Sequence, residues 1–118
     1  MTDAAPPGQG AGVARGVALG LGVVMMIATL PAIVIAFTAI FLFDAPGSSD
    51  SPLTWALALG MMASPIVTLA SAAYAFMAAA SYTGFRMAAA VVLPCALLAY
   101  LAAAYMLLEM ACGGRFAC

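Results

Sequence analysis

The chain has 118 residues, of which 68% are hydrophobic and 6% are charged, with a net charge of −1. Soluble domains usually carry about a quarter of charged residues, and so few charges cannot form a water-facing shell around so apolar a chain. The composition therefore excludes an ordinary soluble domain and makes the lipid bilayer the expected surroundings. With only three basic residues in the chain, we expect no nucleic-acid partner.

Three uncharged runs dominate the sequence, at 16–43, 51–85 and 87–108. A helix needs about 20 apolar residues to cross the hydrocarbon layer. Each run is long enough for one crossing, and none is long enough for two once the loops are removed. The sequence thus predicts an all-α membrane protein with three transmembrane helices, antiparallel in an up-down-up order and joined by short loops.

In chain order, residues 1–12 are rich in Pro, Gly and Ala and are predicted to form a disordered tail. A membrane domain is expected over residues 13–111. Its first helix is expected at about 13–43 and ends at a polar turn, residues 44–50.

Ser51 is a candidate cap for the second helix, because a Ser side chain at this position accepts a hydrogen bond from the first turn. Pro52 follows at the first helical position, where a missing N–H costs nothing. We expect helix 2 at about 52–80 and helix 3 at about 87–111, followed by a short tail at 112–118. Gly84, in the loop between them, is the residue most able to adopt a left-handed conformation.

The charges suggest an orientation, because cytoplasmic loops tend to contain the Lys and Arg residues. Arg15 and Arg86 fall on the same side of a three-span protein, whereas Arg115 falls on the other. We therefore expect an integral protein of the bacterial cytoplasmic membrane, with the N-terminus in the cytoplasm and the C-terminus outside.

Cys112 and Cys118 are separated by a flexible five-residue spacer, Gly-Gly-Arg-Phe-Ala. Such a spacer allows the short Cα–Cα distance of a disulfide, and an oxidising compartment outside the membrane would let the bond form. The alternative is two unpaired thiols on a frayed tail. With no His in the chain, we expect no metal site and no cofactor.

Pro31, Pro65 and Pro94 lie inside the three predicted helices. Each removes one backbone hydrogen bond and presses against the preceding turn. In lipid the carbonyl that each proline frees needs another donor, and Thr29 and Ser64 stand close to the first two prolines. These prolines predict kinks that open a cavity or hinge. Ordinary packing is the alternative, since proline is common in membrane helices.

Two series of small residues predict close helix packing. Gly12, Gly16 and Gly20 recur every four residues, a spacing that lets membrane helices approach closely. On helix 2 the series consists of Gly60, Ser64, Thr68 and Ser71. Its three hydroxyls either join helices or line a polar path, and we favour the joining interpretation.

No acidic or basic residue lies near the centre of a predicted helix, whereas pumps and coupled carriers usually need one there. Without His or Lys, candidates for a general base are also few, so we expect no enzymatic activity. We interpret the chain as an accessory or assembly subunit that packs against helices of a larger membrane complex. The alternative is a self-associating small channel, carrier or holin-like permeabiliser.

Overall fold

The computed structural model describes residues 7–115, and the regular elements in this range are all helical. Helix α1 spans Pro7–Thr38 and continues as a 3-10 helix over Ala39–Phe43. A second 3-10 turn, Ser48–Asp50, precedes α2 at Pro52–Ala80, and α3 covers Gly84–Cys112. The three α-helices are long and apolar enough to span a membrane, which confirms the prediction of three apolar helices.

Helix α2 has the bounds that the sequence predicted, and the reason is local. Ser51 has an extended backbone, with φ −88° and ψ 116°, and its hydroxyl accepts a hydrogen bond from the Thr54 amide at 3.4 Å. Pro52 then occupies the first turn, where no N–H is needed.

Helix α1 begins at Pro7, inside the segment that was predicted to be a disordered tail. A proline disrupts a helix when it lies in the interior, but it is tolerated at the first helical position. Pro7 is therefore compatible with the beginning of α1. Residues 1–6 lie outside the described range. The last five residues of the predicted helix, Ala39–Phe43, form the 3-10 helix rather than α-helix.

Helix α3 starts earlier than predicted because Thr83 caps it. The Thr83 side chain accepts a hydrogen bond from the Arg86 amide at 3.3 Å. Gly84 is thereby drawn into the first turn of α3 and does not adopt the left-handed conformation that its lack of a side chain would allow. Among residues 7–115 the glycines with positive φ are Gly47, Gly113 and Gly114, at the polar turn and beyond α3.

Helix α2 lies between the other two, and α1 and α3 make at most marginal contact with each other. The core between them is built from small side chains that are 0–1% exposed, including Ala18, Ala72, Ala75 and Ala90. Many large apolar side chains point outward instead. Lipid would cover such a surface, whereas water would not favour it.

Contacts along α1 and α2 follow a regular order. Ala18 belongs to a cluster with Ala78 and Ala79. Further along α1, Thr29 contacts Thr68. In the 3-10 helix that follows α1, Leu42 packs against the cluster that contains Leu57. Rising residue numbers on α1 are therefore matched by falling numbers on α2.

Candidate helix-packing and proline sites

The face of α1 that meets α2 carries small residues that lie three, four or seven positions apart. Its buried members are Ala18, Gly22, Thr29 and Ala32, followed by Ala39 at the start of the 3-10 helix. Residues three and four apart lie on one side of a helix, so these form a continuous strip, here called the α1 seam. It includes none of the glycines predicted for packing.

Gly22 is the close-approach glycine of the α1 seam, and the sequence interpretation missed it. A Cβ atom built on Gly22 would lie 2.7 Å from Cε1 of Phe76, so the ring occupies the space that a side chain would take. The signal that identifies Gly22 is the seam spacing, since it lies four residues after Ala18. The four-residue repeat of Gly12, Gly16 and Gly20 follows a different face.

The outer glycines meet no other part of the chain within residues 7–115. Gly12, Gly16 and Gly20 are exposed, and a Cβ built on any of them has no neighbouring atom within 4 Å. At 100° per residue, Gly16 and Gly20 lie about 160° around α1 from Ala18 and Gly12 lies about 120° from it, so all three point away from the seam. We call these three residues the outer glycine stripe. Its packing role stays a prediction about another molecule.

One predicted hydroxyl of α2, that of Thr68, contacts a hydroxyl of α1. Thr29 Oγ1 lies 3.1 Å from Thr68 Oγ1, and both side chains are buried. Thr68 also lies within hydrogen-bonding distance of the Ser64 and Pro65 carbonyls, at 3.1 and 3.0 Å. Thr68 can therefore donate to its own helix while accepting from Thr29, whose single hydrogen is shared between Thr68 and the Met25 carbonyl at 2.9 Å.

The Ser64 hydroxyl lies close to the carbonyl that Pro65 leaves without a donor, and also close to a carbonyl of α1. Pro65 has no N–H to donate to the carbonyl of Met61, four residues earlier. The Ser64 hydroxyl lies 2.7 Å from that carbonyl and 3.2 Å from the carbonyl of Ala32 on α1. A hydroxyl has one hydrogen, so the two carbonyls share a single donor. The shorter distance favours the carbonyl that Pro65 frees.

Ser71 satisfies the carbonyl freed by Pro94, and it does so from another helix. Without an N–H at Pro94, the carbonyl of Ala90 loses its α-helical partner. The Ser71 hydroxyl of α2 donates to this carbonyl, and both residues are fully buried at 0% exposure. One hydrogen bond thus repairs α3 and joins it to α2.

The carbonyl freed by Pro31 does not receive the hydrogen bond that the sequence predicted. Thr29 was the expected donor for the carbonyl that Pro31 frees, which belongs to Ile27. Its hydroxyl instead lies 2.9 Å from the carbonyl of Met25. All three helices continue through their prolines without a break. The kink at each proline stays a prediction.

Gly60 is the close-approach glycine between α2 and α3. A Cβ built there would lie 2.6 Å from Cε1 of Tyr100 and 2.7 Å from Cδ2 of Leu101. The Tyr100 hydroxyl donates to the carbonyl of Ala56 at 2.7 Å. The ring therefore lies across Gly60 and is tied at its far end.

The three prolines line two grooves in the apolar part of the molecule. Pro31 and Pro94 face a groove of about 260 Å³ between α1 and α3, together with Ser64 and Thr68 of α2. Pro65 lines a separate groove of about 310 Å³ on α1 and α2. The structure thus places two prolines from non-adjacent helices beside one opening.

The cysteines differ in state. Cys95 is an exposed free thiol. Cys112 is buried and disulfide-bonded, but Cys118 lies outside the described residues. The predicted pairing of Cys112 with Cys118 stays a prediction. Within residues 7–115 no group of three or more His, Cys, Asp or Glu residues is placed to hold a metal ion.

At the other end of the molecule, Arg86 is fixed against the end of α2. Its guanidinium donates to the Ser81 carbonyl at 2.9 Å, to the Ser81 hydroxyl, and to the Met77 carbonyl at 3.4 Å. A cation at a helix C-terminus interacts favourably with the last carbonyls. The charge that suggested the orientation thus also has a structural role.

Within residues 7–115, the fold and these contacts define an all-helical protein with three candidate membrane-spanning helices, joined by small residues and hydroxyls. In comparisons with protein-family models, curated proteins and solved structures, the chain matches none.

Proposed function

We propose that this protein is a small non-catalytic integral membrane protein that crosses the bilayer three times in an up-down-up order. It acts as an accessory or assembly subunit that packs against the helices of a larger membrane complex. The observation that carries the proposal is the outer glycine stripe, Gly12, Gly16 and Gly20, which is open on the side of α1 away from α2. Such a surface suits a partner helix more than lipid.

Two observations support insertion and antiparallel order. At about 1.5 Å per residue, the 29 residues of α2 or α3 extend over roughly 43 Å, which exceeds the roughly 30 Å of hydrocarbon. The pairing of rising α1 numbers with falling α2 numbers fits helices that run in opposite directions.

For localisation we propose the bacterial cytoplasmic membrane, with the N-terminus inside and the C-terminus outside. Arg15 shares a cavity with Tyr82 of the second loop, and Arg86 caps α2 beside that loop. Two of the three arginines therefore lie at one end, which the preference of basic residues for the cytoplasm assigns to the inside.

The test is co-purification of a tagged full-length chain from its native membrane. Replacing Gly16 and Gly20 together (G16L/G20L) places two large side chains on the stripe and should release the partner. The matched control is A99L/A103L on α3, which adds Leu at two exposed positions with the same spacing. Release by the first variant alone supports the proposal, and retention of the partner by both overturns it.

The alternative, a self-associating channel, carrier or holin-like permeabiliser, is favoured by one observation. The groove lined by Pro31 and Pro94 opens between helices that barely touch, so a second copy could close it into a path. This function predicts a defined homo-oligomer and solute flux in liposomes. A monomeric preparation without flux would rule it out.

A further inference from the structure

The two ends of the described helices differ in charge. Arg15 and Arg86 lie at the end where α2 finishes. Asp44, Asp50 and Glu109 lie towards the opposite end, where the first loop and the last turns of α3 meet. Among residues 7–115 no carboxylate lies beside Arg15, and Arg15 forms no ion pair or hydrogen bond there.

A cavity of about 500 Å³ lies beside Arg15, between the start of α1 and the end of α2. Arg15 and Tyr82 supply its long side chains, and the rest of its lining consists of alanines and one glycine. Its volume falls within the roughly 300–1,000 Å³ of typical ligand sites. The cavity therefore has a cationic side chain, that of Arg15, next to an apolar lining.

The cavity exists because the side chains on the seam are too small to fill it. Ala11 and Ala14 precede Ala18 by seven and four residues, so they continue the face of α1 that meets α2. Ala18 is 0% exposed against Ala78, whereas Ala11 is exposed and Ala14 half-buried. The helices are thus in contact at Ala18 and leave a gap towards their ends.

We propose that this cavity binds one anionic phospholipid, with the phosphate on Arg15 and the first part of an acyl chain against Ala14, Ala78 and Ala79, the alanines nearest the contact at Ala18. The guanidinium fork matches the oxygens of a phosphate, and no carboxylate among the described residues 7–115 lies at this end. Tyr82 is 60% exposed, and an amphipathic ring of this kind suits the headgroup level. The inference rests on the membrane insertion proposed above.

The test uses the purified full chain in detergent, titrated with phosphatidylglycerol, with phosphatidylcholine of the same acyl chains, or with inorganic phosphate. Native mass spectrometry measures the bound species. We expect one phosphatidylglycerol to bind in preference to phosphatidylcholine, and inorganic phosphate to compete weakly because it lacks the acyl chain. Arg15→Gln should weaken phosphatidylglycerol binding about fivefold, the equivalent of about 1 kcal/mol per basic residue at an anionic surface.

Two further variants distinguish phospholipid binding in the cavity from general electrostatic attraction between the protein and anionic lipid. Arg115→Gln removes the same charge at the opposite end and should leave binding unchanged. Ala11→Leu fills the cavity without altering charge and should weaken binding while circular dichroism shows unchanged helix content.

Equal losses for Arg15→Gln and Arg115→Gln, or full binding by Ala11→Leu, would overturn the proposal. Equal binding of the two phospholipids would do the same, and tight binding of inorganic phosphate alone would show an anion site without a lipid. None of these results depends on the partner, so the co-purification test of the outer glycine stripe is separate.

Discussion

The glycines of this chain occupy three different environments, although the sequence presents them alike. Gly60 is covered by the Tyr100 ring and Gly22 by the Phe76 ring, whereas no described residue covers Gly20. The cost of adding a methyl group should therefore depend on how freely the covering side chain can move. Phe76 is 38% exposed, whereas the Tyr100 hydroxyl is bound to the Ala56 carbonyl.

We predict that Gly60→Ala lowers the free energy of unfolding by about 1–3 kcal/mol, the usual cost of overpacking. Gly22→Ala should cost less, because the Phe76 ring can turn away. Gly20→Ala is the control and should be neutral or slightly stabilising, since alanine favours a helix by up to about 1 kcal/mol over glycine. Unfolding in mixed detergent micelles measures all three. A cost for Gly20→Ala equal to that of Gly60→Ala would contradict the helix contacts.

At the scale of the elements, serine hydroxyls donate to the backbone carbonyls that prolines leave without a donor, and one of these hydrogen bonds connects two helices. The carbonyl freed by Pro65 is served by Ser64 within α2. The one freed by Pro94 is served by Ser71 from the neighbouring helix. The second arrangement makes the α2–α3 contact depend on the proline, because an α3 without Pro94 would bond the Ala90 carbonyl internally.

This dependence predicts a double-mutant cycle. Ser71→Ala should lower stability by about 1–3 kcal/mol, because it leaves a buried carbonyl unsatisfied. In the Pro94→Ala background, the restored N–H serves that carbonyl, and the same Ser71→Ala change should cost clearly less. Serine and alanine have nearly the same volume, so Ser71→Ala removes the hydroxyl without opening a cavity. Equal costs of Ser71→Ala in both backgrounds would show that Ser71 does not act on the freed carbonyl.

Much of this element level could be predicted from the sequence. Ser51 and Pro52 mark the start of α2 because capping is local chemistry, and the structure forms that cap. The start of α3 was misjudged because Gly84 was taken for a turn residue, when Thr83 provides a cap.

The packing face of α1 could not be chosen from one helix alone. Both the outer glycine stripe and the α1 seam have small residues at helical spacing, and only the position of α2 distinguishes them. The partners of Ser64 and Ser71 on other helices likewise depend on how the helices are placed relative to each other. The spacing of residues within one helix does not determine that placement.

At the scale of the whole molecule, three helices side by side cannot enclose their apolar surface. Ile27, Ile66 and Met110 are 62%, 70% and 84% exposed, and they represent a surface that continues around the outside. In a bilayer this exposure carries no penalty, since lipid tails are as apolar as the side chains. The central claim is therefore that the helices cross the membrane and that their two loops lie on opposite sides.

Cysteine labelling of the two loops tests this claim most directly. Ser49→Cys and Gly84→Cys are each made in a background where Cys95, Cys112 and Cys118 are replaced by Ser, and intact cells are treated with a membrane-impermeant maleimide. Both positions are exposed, so access depends on the side of the membrane alone. We predict that Ser49→Cys is labelled in intact cells and Gly84→Cys only after lysis. Labelling of both from the same side would contradict the three-span account, and the reverse pattern would contradict its orientation.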